Sequence, residues 1–164
     1  MARSKKPSVT TRLREETTFF LDRTLGRFQC ASILRAKGLK VEVHHDKFAD
    51  NAPDEEWIPR CAQEKWVIVT GDIWGHGRKE AAQVRAVASG RVRVFQLSTN
   101  EIPSELWAQA ILKAERRILK ILKKNKGPFI ARITPGGNVT ILEGYFDRES
   151  EARESDYRPD PESA

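Results

Sequence analysis

The sequence predicts an α/β domain whose mainly parallel central sheet is covered by helices on both faces and ends in a C-terminal hairpin. Three observations predict it. Apolar runs of strand length alternate with stretches of helical period along most of the chain. WVIVTGD (66–72) is a continuous apolar run, the pattern of a strand buried on both faces. Near the C-terminus, Pro-Gly-Gly-Asn separates two β-like runs, as in a hairpin.

Taken in order, residues 1–16 read as a flexible basic arm. TTFFLD (17–22) is a short β-rich run that ends in an acid. Residues 24–38 place Leu25, Phe28, Ala31, Ile33 and Leu34 near helical period, with Thr24 as N-cap and Gly38 as the stop. LKVEVHH (39–45) alternates as a strand does, and DKFADNAP is a loop by composition. DEEWIPRCAQE (54–64) opens with carboxylates that favour the N-terminal end of a helix dipole. Pro59 removes a backbone donor there, so the reading is of a helix that starts late or bends. After the strand 66–72 come a loop at 75–78, a helix over 79–90 closed by Gly90, and an alternating strand over 91–97. Residues 103–127 form the clearest helix, marked by Pro103, Ser104 and Glu105 at its start and Gly127 at its end. PFIARIT and VTIL supply the hairpin strands.

Length and composition fit one domain. The 164 residues are enough to bury a core without disulfides. The expected organisation is an arm over 1–16, the α/β domain over 17–146 and an acidic, disordered tail over 147–164. That tail carries three basic and seven acidic side chains, net −4, which leaves +10 on residues 1–146 of the +6 chain. A basic body suggests an anionic partner such as nucleic acid, and solubility is the plainer use of the same charge. No apolar run approaches the roughly 18 residues of a membrane span, and no signal-peptide core follows the basic N-terminus, so a cytoplasmic protein is expected. Cys30 and Cys61 lack metal-knuckle spacing and read as buried thiols.

The chemistry lies at the strand ends. The first strand runs into Asp22; the second into His44, His45 and Asp46; the third into Thr70 and Asp72. Parallel neighbours spaced about 4.8 Å apart would bring these exits within about 10 Å of one another. Asp54 and Glu55 start the helix before the third strand and can lean over the same edge. Converging carboxylates repel one another unless a cation lies between them, and Mg²⁺ or Mn²⁺ suits oxygen ligands. Each acid alone also fits a turn or N-cap role.

FFLDRTLG, LRAKGLKVEVHHDKF, PDEEWI and KWVIVTGD together resemble the PIN-like nucleases, most closely the branch near the virulence-associated-protein C (VapC) toxins of toxin–antitoxin pairs. The resemblance runs from about Thr18 to Ile141. It implies a three-layer α/β/α PIN-like domain, a divalent metal, and RNA cleavage by metal-activated water. Asp22, Asp54 and Asp72 match the metal-holding acids, while Asp46 and Glu55 match assisting ones. Thr70 fits the polar position before Asp72. Arg23 follows the first acid, as is common in this branch, and can meet a phosphate. Two departures stand out: Ile73, Trp74, Gly75, His76 and Gly77 follow Asp72 without a further acid, and Gly71 stands where relatives often carry Lys. They leave one ion or two open.

Helix 103–127 divides into an apolar half and a half carrying Lys113, Arg116, Arg117, Lys120, Lys123 and Lys124, interrupted only by Glu115. Such a face suits RNA phosphates or an acidic partner, or it is simply a solvated surface. Lys113, Arg116, Arg117, Lys120 and Lys124 are taken as RNA-binding candidates, together with His76, Arg78, Lys79 and the glycine-flanked Trp74, which can stack on a base. Trp57, Trp66 and Trp107 read as core anchors. The expectation is a Mg²⁺- or Mn²⁺-dependent endoribonuclease, with RNA as substrate, an antitoxin as partner, no membrane partner, and homodimerisation open. The competing expectation is a PIN-like module of weak or lost chemistry that binds nucleic acid or protein. DNA as substrate is also open.

Overall fold

The computed structural model describes residues 6, 8–25, 29–72, 85–99 and 101–142. The elements are α1 (Val9–Glu16), β1 (Thr18–Leu21), a 3₁₀ turn (Arg23–Leu25), α2 (Gln29–Ala36), β2 (Lys40–Val43), α3 (His44–Lys47) and α4 (Asp54–Glu64). They continue with β3 (Val67–Thr70), the helical residues 85–90 (α5), β4 (Arg93–Leu97), α6 (Ser104–Lys124), β5 (Phe129–Ile133) and β6 (Val139–Ile141). The sheet order is β2-β1-β3-β4-β5-β6. β1 to β5 are parallel and β6 returns antiparallel to β5, so the expected parallel sheet with a terminal hairpin is observed.

Strand periodicity separates the core into two layers. Phe19, Leu21, Val67, Val69, Phe95, Leu97, Phe129, Ala131 and Ile133 face the side covered by α2 and α6. Phe20, Ile68, Val94 and Ile130 face the other side, against Trp57, Ile58 and Cys61 of α4 and Val87 of α5. All four residues of β3 are buried, as its unbroken apolar run requires. Parallel strands put every C-terminal end, and hence Asp22 and Thr70–Asp72, along one edge of the sheet.

Several local expectations change. The arm over 1–16 contains a helix from Val9, capped by the Ser8 side chain on the Thr11 amide and held by Leu13 against the α6 side of the core. Arg14 pairs with Glu115 at 2.6 Å, which gives the one acid on the basic face of α6 a partner on another helix. The helix expected over 24–38 is divided into the 3₁₀ turn and α2, with residues 26–28 outside the described residues. The Asp22 carbonyl accepts from the Leu25 amide, and that bond tightens the chain into a separate turn. β2 ends at Val43, and His44 opens a helical turn. Pro59 does not delay α4, which starts at Asp54 behind Pro53. Only the bond to the exposed Glu55 carbonyl is forgone, while Trp57, Ile58 and Cys61 anchor the buried face. Cys30 and Cys61 are buried free thiols. Among the described residues no helix is long and apolar enough to cross a membrane. The tail 147–164 lies outside the described residues.

Candidate functional site

Asp22 follows the last residue of β1, and its amide donates to the Val69 carbonyl at 3.1 Å, so the neighbouring strand fixes its backbone. Its side chain is only 4% exposed. Both oxygens are held. Oδ1 accepts from the Thr24 amide at 2.9 Å and from the Thr24 hydroxyl; Oδ2 accepts from the Thr70 hydroxyl.

Each threonine is itself oriented by the turn after β3. The Gly71 amide donates to Thr24 Oγ1 at 2.6 Å, and the Asp72 amide donates to Thr70 Oγ1 at 3.0 Å. Two successive backbone donors therefore fix two hydroxyls, and each hydroxyl directs its proton at one oxygen of the same carboxylate. A hydroxyl that has accepted such a bond keeps its own hydrogen free to donate, so the network is internally consistent.

Gly71 is there for space. A Cβ at that position would lie 2.9 Å from Thr24 Oγ1, closer than real contacts come, and 3.2 Å from Thr24 Cβ, tighter than most, so Thr24 would have to shift.

Burial pushes the Asp22 carboxyl up to about 6 from its ordinary 3.8, against the lowering effect of its hydrogen bonds from Thr24 and Thr70. The charge of Asp72 adds to the rise, so the two carboxylates share one electrostatic environment. Thr70 is buried with Asp22, whereas Asp72 is exposed.

Asp54 is half-buried at the start of α4. Its Oδ1 accepts from the Trp57 indole at 2.9 Å and lies 3.8 Å from Arg23 Nη2. Arg23, expected to meet a phosphate, also donates to the Asp50 carbonyl. It thus ties the turn after β1 to the loop before α4. Glu55 and Asp46 are exposed, on the first turn of α4 and on α3 respectively.

Beneath these groups lies an aromatic floor. Phe20 stacks on Trp57 with centroids 5.6 Å apart and meets Phe48 edge-on at 5.9 Å. His44 packs into the same floor, 5.7 Å from Trp57. The sequence places this histidine among the polar groups at the strand exits. His44 is instead fully buried, and among the described residues neither ring nitrogen has a partner. Burial, then Arg23, pulls its pKa down and keeps the imidazole neutral.

Among the described residues no group of three or more His, Cys, Asp or Glu side chains is close enough to hold a metal ion. Asp22 and Asp72 come together; Asp54 is engaged by Trp57 and Arg23. The donor set still fits a hard divalent cation. A buried carboxylate fixed in rotation beside a second carboxylate offers oxygen ligands only, and Mg²⁺ commonly takes one or two protein carboxylates and keeps water in its other positions.

The basic residues of α6 lie elsewhere. Ser104 Oγ contacts the Leu25 carbonyl at 3.4 Å, so the N-terminus of α6 is at the acidic edge. At about 1.5 Å per residue, Lys113 to Lys124 sit roughly 13 to 30 Å along the axis from there. Lys113, Arg116, Lys120 and Lys124 are exposed, and Arg117 donates to the Gly137 carbonyl at 2.8 Å, which fastens the hairpin turn. Trp74, His76, Arg78 and Lys79 lie outside the described residues.

Thr24 is the site residue that sequence reasoning misses, because its place before a stretch of helical period suggests an N-cap. The signal was present as Asp-x-Thr, since an Asp side chain often accepts the amide two residues on. The partnership with Gly71 needed the fold.

A family model described as "PIN like domain" matches residues 17–99. A curated protein of Mycobacterium tuberculosis, "Putative ribonuclease VapC45", is 26% identical over 127 residues, covering 75% of this chain and 90% of that protein. No solved structure matches the chain.

Proposed function

The chain belongs to the PIN-like domain family, and from that membership we propose that it is a metal-dependent endoribonuclease acting as the toxin of a toxin–antitoxin pair. The observation that carries the reading is Asp22. A turn-forming aspartate has no need of burial, two aimed threonine hydroxyls and a second carboxylate alongside. The likeness to a protein named as a ribonuclease supports RNA as substrate.

Asp22 and Asp72 would hold Mg²⁺ or Mn²⁺, with Asp54 at the rim and Asp46 and Glu55 assisting. A divalent ion there supplies a Lewis acid that activates water and stabilises charge on the phosphodiester. The protein's own part is positioning. Thr24 and Thr70 fix the plane of the Asp22 carboxylate, so it need not reorganise as charge develops. The Phe20–His44–Trp57 floor keeps water from the underside of the site. Arg23, half-exposed beside Asp54, can neutralise an approaching phosphate. Lys113, Arg116, Arg117, Lys120 and Lys124 are too far along α6 for the scissile phosphate and would hold the flanking strand. In the same reading residues 17–146 are the catalytic unit, the protein works in the cytoplasm, and an antitoxin blocks the acidic edge.

The deciding experiment is cleavage of RNA with Mn²⁺, with and without EDTA, by the parent chain, Asp22→Asn and Asp72→Asn. Cleavage that needs the metal and is lost in both variants is expected. RNA binding without cleavage under any divalent metal would overturn the enzyme and favour a non-catalytic module, the reading that the missing acid after Asp72 supports. Cleavage of single-stranded DNA in place of RNA would overturn the substrate alone.

A further inference from the structure

The end of the sheet opposite the acidic edge holds a cavity of about 430 Å³, lined by Lys65, Trp66, Arg91, Arg93 and Lys126 among others. That volume lies within the roughly 300–1,000 Å³ of small-molecule clefts. Lys65 and Trp66 directly precede β3, Arg93 opens β4, and Lys126 precedes β5. Because these strands are parallel, the four cations stand at their N-terminal ends, a full strand length from Asp22 and Thr70.

Among the described residues no acid lines the cavity. Among the described residues none of the four cations has a carboxylate partner; Arg93 donates to the Lys65 carbonyl at 3.2 Å and Arg91 to the Gly127 carbonyl at 3.5 Å. Glu64, the nearest acid in sequence, is paired with Arg60. Two helix C-termini, of α4 and α5, also point here, and each carries about half a negative charge. Four full positive charges outweigh them. The terminal carbonyls are moreover already capped, by the Lys65 and Trp66 amides in α4 and by the Arg91 and Val92 amides in α5.

Both caps take the left-handed conformation, Lys65 at φ 57° and Arg91 at φ 53°. Glycine is the residue suited to that position, and here two adjacent helices both put a long cation in its place. The Trp66 ring, stacked on Phe20 at 5.5 Å, adds a flat apolar wall.

We propose that this cavity binds a nucleoside monophosphate unit, its phosphate held by Lys65, Arg91, Arg93 and Lys126 and its base lying against Trp66. The site stands apart from the acidic edge, and the inference does not rest on the nuclease reading.

The backbone geometry supplies the test. Lys65→Gly and Arg91→Gly remove charge while installing the residue best suited to φ near +55°, so the variants fold at least as well as the parent. The full chain, in EDTA, is titrated calorimetrically with adenosine 5′-monophosphate, inorganic phosphate and adenosine. The expected order is the nucleotide tightest, then phosphate, then adenosine. The double variant should bind the nucleotide about a hundredfold more weakly, roughly tenfold per lost charge-assisted contact, with an unchanged or higher thermal midpoint. Nucleotide binding no tighter than adenosine, or undiminished in the double variant, overturns the site; equal affinity for the nucleotide and phosphate overturns the nucleoside part. Displacement of the nucleotide by a 5′-phosphorylated ribotrinucleotide assigns the site to an RNA strand end, and no displacement assigns it to a free mononucleotide. Asp22→Asn should bind the nucleotide like the parent, which keeps this outcome separable from any failure of the nuclease reading.

Discussion

Thr70 and Asp22 stand 48 residues apart, yet the Thr70 hydroxyl donates to Asp22 Oδ2 while accepting the Asp72 amide. One side chain thus couples the two carboxylates that the strand ends bring together, and its removal has a defined outcome. Thr70→Val keeps the volume and deletes the hydroxyl, leaving Asp22 Oδ2 without its donor. Because that bond lowers the Asp22 pKa, the acidic limb of the cleavage–pH profile should move to higher pH. Stability should fall by about 1–3 kcal/mol, and Thr70→Ser should restore both. A limb that stays in place would dissociate Thr70 from the titrating group.

Gly71→Ala tests the opposite flank. The new Cβ, 2.9 Å from Thr24 Oγ1, must push Thr24 off Asp22. Cleavage should drop by about 10- to 100-fold, because small displacements of a positioned group are costly. Stability should fall by about 1–3 kcal/mol from overpacking. Adding Thr24→Ala should recover stability without recovering cleavage. Recovery of both in the double variant would show that Thr24 matters only as a spacer.

The buried Asp22 also dictates how the metal-free chain responds to pH. Its folded pKa, about 6, lies above its ordinary 3.8, so between these values the folded state binds more protons than the unfolded one. Stability from this group is therefore present at low pH and lost as pH rises through about 6. The whole difference is about 3 kcal/mol, and other titrating groups add their own slopes. Urea unfolding in EDTA at pH 5 and pH 8 should give a difference between the parent and Asp22→Asn that moves in favour of the variant by about 1.4 kcal/mol, the part of the whole that is lost above pH 5. At pH 8, Mn²⁺ should raise the thermal midpoint of the parent and not of Asp22→Asn.

On α6, charge and anchoring separate. Lys120→Gln with Lys124→Gln should weaken RNA binding and reduce the slope of log affinity against log salt by about 1.4, about 0.7 per lost contact to a single strand. Their stability should stay within about 0.5 kcal/mol of the parent. Arg117→Ala, which frees the Gly137 carbonyl and Asn138, should instead cost about 1 kcal/mol or more in unfolding. A salt slope unchanged in the double variant would take this face out of RNA binding.

The sequence by itself determined the element types and the acids that end them. VIVT could only be a doubly buried strand, the alternation in Lys40–Val43 gave a half-buried one, and FFLD and VTGD carried aspartates straight off strands. These are local matters, set by periodicity and by which residues tolerate burial. Only the tertiary structure decided that Thr24 serves Asp22 rather than a helix end, that Gly71 leaves room for it, and that Asp54 is engaged by Arg23 and Trp57. It also carried the basic half of α6 away from the acidic edge and gathered Lys65, Arg91, Arg93 and Lys126 around one cavity. The physical reason is that side chains far apart in sequence meet through strand order and register, and no window of sequence contains either.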